Sequence, residues 1–599
     1  MKNIFLFTSI LLALASSAQT VDMDLFKGMN MRHIGPATMS GRVTAIEVEA
    51  NDPRTIYVGT ASGGLWKSET AGLTWNPIFD KQPVQSIGAL ALDQRNPDVI
   101  WAGTGEGNPR NSHTSGAGIF KSIDGGRSWK FKGLEGTKTI HRIIVHRDNP
   151  DVVYVAATGS AWGPGPDRGV FMTSDGGDSW KKILFVNDST GCADLIVDPS
   201  NPNKMFAAMW EYGRKPYFMN SGGEGSGLYV THDGGKNWVK RTDKDGLPKG
   251  NLGRIGLGIS AENPDVIYAL VEASEIALYK SINGGVTWTR KADKNAGNRP
   301  FYYADIYVNP HDSREIWSLW SVVTRSDDGG NTFETIIPYS GVHPDHHAFW
   351  ISPTDPNFML EGNDGGLNIS RDGGNTWEYV SNLPLGQFYH INYDMDIPYH
   401  VYGGMQDNGS WQGPGYAFQW SPLLNEQWQE ISFGDGFDVV SKKGDSRYAY
   451  SMWQEGNLLE TDIETGQSRY IQPNHPDSVK LRFNWNAALA QDPFSECGLY
   501  FGTQFVHYTP DCGNNWKIIS PDLTTNDSLK QKQGSSGGLT FDVTGAENYT
   551  TIICISPSPH DSKVLWVGTD DGNVQLTKDG GKTWNNVGQK IKGQPENGW

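Results

Sequence analysis

The residues of this chain best suited to chemistry are carboxylates, arginines and aromatics gathered in a few short loops. Glu106, Asn108 and Arg110 stand in Gly105-Glu106-Gly107-Asn108-Pro109-Arg110, directly after a strand end. Trp162, Asp167 and Arg168 share a Gly/Pro-rich loop, Trp210 stands near Arg214, and Arg299 precedes Tyr302 and Tyr303. His343-Pro344-Asp345-His346-His347 leads into Phe349-Trp350, with Asp364 following. Gln406, Asp407, Asn408 and then Asp435 come later. Aromatic faces beside carboxylates and arginines suit sugar binding. Cleaving a glycosidic bond requires two carboxylates across it, one as acid and one as base or nucleophile. Hydrogen bonding and salt bridging between repeats accounts for each residue, taken singly, equally well. Histidine and aspartate also ligate metals, but neighbours in a strand point to opposite faces. The run 343–347 is therefore not expected to hold a metal, and no cofactor is expected. The chain has no Gly-x-Ser-x-Gly segment of a serine hydrolase.

The elements that must position these loops are repeats. Ser/Thr-x-Asp-x-Gly-x-x-aromatic, the Asp-box, recurs around Asp124, Asp175, Asp233, Asp328, Asp372, Asp511 and Asp579, with degraded copies at Thr70 and Asn283. Before each box an alternating strand runs into a turn, often Asn/Asp-Pro as at Asn96-Pro97 and Asn149-Pro150, then a second strand. The units number eleven, and their length suits a four-stranded propeller blade. An Asp in a tight turn accepts backbone N–H groups, and the box aromatic offers a large apolar area to wedge between blades. The box aspartates are expected to be scaffold. The fold class is all-β: a seven-bladed propeller over 19–385 and a second, incomplete propeller of about four blades over 386–599, apparently truncated. Loops at equivalent strand ends converge on one mouth of a propeller channel, so the candidate residues can share a site.

Composition agrees. Glycine (72), Trp (22), Tyr (23) and Phe (23) are abundant, which suits short strands and tight turns. A net charge of −17 without a basic stripe excludes a nucleic-acid backbone as partner. Met1-Lys2-Asn3, an apolar run over 4–15 and Ser16-Ser17-Ala18 fit a signal peptide cleaved after Ala18. No other stretch approaches the ~18 apolar residues of a membrane span. The mature chain is expected to be secreted, periplasmic or at the cell surface. Cys497 and Cys512 flank one hairpin and suit a disulfide, whereas Cys192 and Cys554 are expected to be buried thiols.

The boxes, together with Gly103-Thr104-Gly105-Glu106-Gly107-Asn108, Gly404-Met405-Gln406-Asp407-Asn408-Gly409 and Val567-Gly568-Thr569-Asp570-Asp571-Gly572, resemble the Asp-box (BNR-repeat) glycosyl hydrolase-like proteins. That group is related to the sortilin N-terminal propeller and to tandem-propeller xyloglucan hydrolases. The resemblance implies a polysaccharide or glycan ligand in a cleft between propellers. It implies a catalytic acid at Asp435, in Gly434-Asp435-Gly436-Phe437, but finds Ala61 where the base Asp should stand. Glu106 or Asp167 is the substitute partner. A sortilin-like propeller that binds a protein or peptide without catalysis is the other expectation.

Overall fold

The computed structural model describes residues 22–593 apart from 27, 30–33, 36–40, 111, 417–422 and 544–546. Residues 1–18, read above as a signal peptide, lie outside the described residues. Eleven sheets account for the described strands, ten of four strands and one of six, and the strands of each blade lie side by side in chain order. The apolar alternation of the sequence explains the sheets. Ile56–Thr60, Ile100–Thr104 and Val153–Ala157, second strands of their blades, are buried throughout because a blade covers each face.

The Asp-box closes the outer hairpin of a blade. Asp124 accepts Ser122 Oγ (2.8 Å), the Ser128 amide (2.9 Å) and Ser128 Oγ, while Ser122 Oγ accepts the Gly126 amide. Gly125 and Gly126 both have positive φ, and a Cβ on Gly126 would meet Ile78 at 2.6 Å. The box tryptophan does more than wedge. Trp129, Trp180 and Trp516 donate Nε1–H to the carbonyls of Ile78, Lys132 and Ile471 in the preceding blade, each at 2.7 Å. Asn283, in a degraded box, makes the same contacts with Ser281 and Thr287.

Seven apolar clusters join neighbouring blades of the first ring, and one of them closes it. Val43, Ile56 and Val58 of the first sheet pack with Ala348, Leu360 and Ile369 of the seventh. Sheets eight to eleven are joined by three further clusters into an arc. No cluster among the described residues links the eighth sheet to the eleventh, and Ile391, Tyr393, Met395 and Ile397 of the eighth are exposed. Ring and arc touch. The strand Asn201–Lys215 overruns its blade, pairs with Phe218–Ser221, and that strand pairs in parallel with Gly537–Gly538 of the arc. Cys497 and Cys512 are bonded, and Cys192 is buried. Cys554 departs from expectation and is exposed: it lies on the first strand of the eleventh sheet, whose outer face no described blade covers.

Candidate functional site

In every blade the first strand begins where the second ends, as the pairs Val43↔Thr60, Ile87↔Thr104 and His346↔Asn363 show. Two sets of residues therefore meet at one mouth of the channel. Arg42, His141, Arg254, Asp305 and His347 come from the starts of first strands. Glu106, Asn108, Arg110 and Asp364 follow the ends of second strands, as Asp407 does in the arc.

Arg42 is the centre. It is sealed from solvent and donates Nε to Asp364 Oδ1 (2.6 Å), Nη2 to Asp364 Oδ2 (3.2 Å) and Nη1 to Glu106 Oε1 (2.5 Å). Its Nη2 lies 3.5 Å from Asp407 Oδ2. Tyr302 donates its hydroxyl to Asp364 at 2.9 Å, and His347 Nε2 stands 2.8 Å from the same carboxylate. Asn108 continues the chain: its amide meets His347 Nδ1 at 3.1 Å and its oxygen accepts Arg254 at 3.0 Å. Arg254 then donates to His141 Nε2 at 3.0 Å. Burial, followed by the charge of Arg142, pushes His141 down to about 3, so the imidazole is neutral and accepts. Burial alone would raise Asp364, but Arg42 and His347 hold it well below the usual carboxylate range.

The arc adds three acids and an aromatic wall. Asp435 is buried; its carboxylate accepts the Asp407 amide (2.8 Å) and Trp485 Nε1–H (2.7 Å). Asp407 has a left-handed backbone (φ 59°) and a side chain 26% exposed. Burial of its carboxyl, with the charges of Asp435 and Asp364 beside it, raises its pKa well above the ordinary carboxylate value. Above this network, Ser112, Tyr389, Phe437, Trp485, Glu547 and Tyr549 line a cleft of about 350 Å³ between the ring's loops and the arc. Arg110 is stacked between Tyr302 (5.0 Å) and Trp485 (5.3 Å), joining ring to arc. The ring's own channel is a separate cavity of about 450 Å³ lined by Glu47, His141, Arg142, Tyr307 and Trp350, where burial pushes Glu47 up to about 8.

The structure brings Glu106, Asn108, Arg110, Tyr302, His347, Asp364, Asp407 and Asp435 together. Tyr303 packs beside Tyr302, while Asn408 donates to the Asp364 carbonyl and Gln406 accepts from Gln387. Trp162 and Asp167 stay exposed on their loop, and Arg168 fastens that loop through the carbonyls of Thr158, Ser160 and Gly163. Trp210 is buried on Tyr212 (4.1 Å), and Arg214 and Arg299 both reach Asp542. His346 turns away to Glu361 at 2.5 Å, and His343 Nε2 meets the Asp407 carbonyl at 3.1 Å, so the three histidines serve different partners. Asp394, Asp396 and His400 hold ligand atoms within 4.8 Å of one another, yet Asp394 is already occupied by His400 and Tyr402. Sequence reasoning missed Arg42, His141, Arg254, Tyr389, Trp485 and Glu547. The available signal was position: a polar residue at the start of a blade's first strand faces the channel mouth.

The sortilin-Vps10 family model (sortilin, neurotensin receptor 3) matches residues 117–246. A xyloglucanase of Paenibacillus sp is 23% identical over 375 residues, 57% of this chain and 31% of that protein. An oligoxyloglucan-reducing end-specific xyloglucanase of Emericella nidulans is 21% identical over 240 residues, 38% and 28% of the two chains. The chain spans about a third of the length of these curated relatives. Among solved structures, the Niastella koreensis GH74 enzyme superposes with TM-score 0.55 at 13% identity, over 93% of this chain and 87% of that one. An ancestral GH74 enzyme gives 0.58 at 16% identity, over 93% and 78%. The fold is thus that of a tandem propeller related to the xyloglucan-hydrolysing enzymes.

Proposed function

We propose that this chain is a carbohydrate-active propeller that binds a polysaccharide in the cleft between ring and arc. The observation that carries the proposal is the cleft itself: aromatic faces of Tyr389, Phe437, Trp485 and Tyr549 with one carboxylate, Glu547, above a buried charge network. Such walls suit pyranose rings, whose apolar faces stack on aromatics while their hydroxyls seek fixed polar groups. The xyloglucanase relatives support a plant-type glycan, and 19–385 and 386–599 are taken as the two units that enclose it.

Hydrolysis is the finer proposal, with Asp407 as proton donor. A general acid must be protonated near neutral pH and reach the leaving oxygen. Asp407 has the raised pKa and the partly open side chain. Asp435, which the resemblance points to, is buried with its carboxylate taken up by the Asp407 amide and Trp485 Nε1–H, and is assigned a supporting part. Glu106 is fully buried against Arg42 and is assigned to the network. One observation favours binding without cleavage: the position of the relatives' base is Ala61, itself buried. The test is a glycan array with a reducing-end assay on xyloglucan and other plant and microbial polysaccharides, using the full chain, Asp407→Asn and Asp435→Asn. Cleavage lost in Asp407→Asn with binding kept is the expected result for an enzyme. Binding without cleavage supports the second reading, and no binding to any glycan refutes both.

A further inference from the structure

We propose that Arg110 is an anion-recognition residue of the cleft, and that the glycan taken there bears a carboxylate, as a uronic acid unit does. The proposal rests on the polysaccharide reading above and narrows its ligand class. Arg42 and Arg254, two other buried arginines of the mouth, are fully engaged. Arg42 grips three carboxylate oxygens within 3.2 Å. Arg254 donates to Asn108, to the carbonyls of Phe301 and Tyr302 and to His141.

Arg110 differs. It is 6% exposed, yet its Nη1 has no hydrogen-bond partner, and its nearest carboxylates, Glu547 and Asp542, are 3.7 and 3.9 Å away, beyond hydrogen-bond reach. Leaving a buried donor unused is costly, and each such case calls for an explanation. Tyr302 and Trp485 fix the guanidinium by stacking on it, which leaves its edge as the polar handle. A rigid guanidinium edge matches a planar carboxylate through two parallel hydrogen bonds.

Arg110, Arg214 and Arg299 gather around Asp542 and Glu547, and Asp345 also acts on Arg110 electrostatically. Asp542 Oδ1, 3.9 Å from Arg110 Nη1, likewise lacks a hydrogen-bond partner. The site is within reach of the cleft because Trp485 and Glu547 are themselves cleft-wall residues. The net charge of −17 repels a polyanion at long range. That field is screened beyond about 8 Å at physiological salt, and the contact itself decides.

The experiment is affinity electrophoresis and calorimetry with a glucuronic acid-bearing xylan, the same polymer after carboxyl reduction, and neutral xyloglucan. Carboxyl reduction needs no mutation, so it tests the idea on the native protein. The expected result is binding about tenfold tighter, or more, for the acidic form than for its reduced form. Arg110→Met, which keeps the stacking volume, should erase that preference and leave binding of the reduced polymer in place; circular dichroism and a thermal melt report on its fold. Equal binding of both forms, or a preference that persists in Arg110→Met, overturns the proposal. Tight binding of xyloglucan unaffected by Arg110→Met overturns it while leaving the polysaccharide reading intact. Absence of binding to all three polymers refutes that reading as well.

Discussion

Replacing Arg42 by methionine tests whether the mouth is held by one buried cation. The substitution keeps most of the apolar stem but strands Asp364 and Glu106, both sealed from solvent, and removes the cation beside Asp407. Tyr302 and His347 still face Asp364, whereas Glu106 Oε2 has no hydrogen-bond partner to fall back on. Relief comes when a stranded carboxyl takes up a proton. Neutralising a carboxyl of ordinary pKa near 4 at pH 7 costs about 1.4 kcal/mol per pH unit, roughly 4 kcal/mol in all. That agrees with the ~3–5 kcal/mol found when one partner of a buried ion pair is removed. The pH dependence has a definite sign. Asp364 is depressed in the native protein, so its contribution is present above the unfolded value near 3.9 and is lost only as pH falls through the lower folded value. Between pH 7 and about 4.5 this term is flat in the native protein, while the variant recovers. Urea unfolding followed by tryptophan fluorescence should therefore give a deficit of about 4 kcal/mol at pH 7 that shrinks by ~1.4 kcal/mol per unit toward pH 4.5. Adding Asp364→Asn to Arg42→Met should restore part of the loss at pH 7. A deficit below about 0.5 kcal/mol at pH 7, or one independent of pH, refutes the reasoning.

Trp129→Phe keeps the wedge but leaves the Ile78 carbonyl without its 2.7 Å bond; a loss of about 1–2 kcal/mol is expected in the same urea assay. Five box aspartates, Asp124, Asp233, Asp328, Asp511 and Asp579, are brought down to about 2, chiefly by side-chain and backbone hydrogen bonds. Their stabilisation is complete above about pH 4 and is lost as pH falls through about 2, so an acid titration by circular dichroism should place blade unfolding in that window, earlier in Asp124→Ala. Of the unpaired cysteines, Cys554 should react with a maleimide in the native protein and Cys192 only after unfolding, which mass spectrometry resolves. The Cys497–Cys512 bridge closes a 15-residue separation, so Cys512→Ser should destabilise the arc by about 3 kcal/mol on loop entropy, read as a lower urea midpoint.

The fold was legible because each blade repeats its instructions locally. An alternating strand, an Asn-Pro turn and an Asp-box describe a hairpin without reference to the rest of the chain. What the box could not announce is where its tryptophan nitrogen goes. That partner, such as Ile78 for Trp129 or Lys132 for Trp180, is a backbone carbonyl of another blade, and backbone carbonyls carry no sequence signature. Ring size was readable from box spacing, but closure is a contact between residues about 300 positions apart, as Val43 with Leu360.

The site was legible by loop and not by role. Glu106, Asp364 and Asp407 stood out as acids in Gly-rich turns, yet their chemistry is set by Arg42, which enters as one unremarked residue before Val43–Val48. Net charge pointed away from this centre: the chain carries −17 overall, but the channel mouth concentrates arginines, because buried loops that cross a ring need cations to hold their carboxylates. The same demand separates Asp435 from Asp407 by their partners. Asp435 faces two N–H donors and needs no cation, whereas Asp407 shares Arg42 with two stronger partners and faces Asp435 as well. Burial and the charges of Asp435 and Asp364 raise the pKa of Asp407, and Arg42 offsets them only in part. The ranking of Arg42's partners rests on distances, 2.6 Å from Arg42 to Asp364 against 3.5 Å to Asp407, so it is read from geometry even when the loop that bears Asp407 can be picked out by eye.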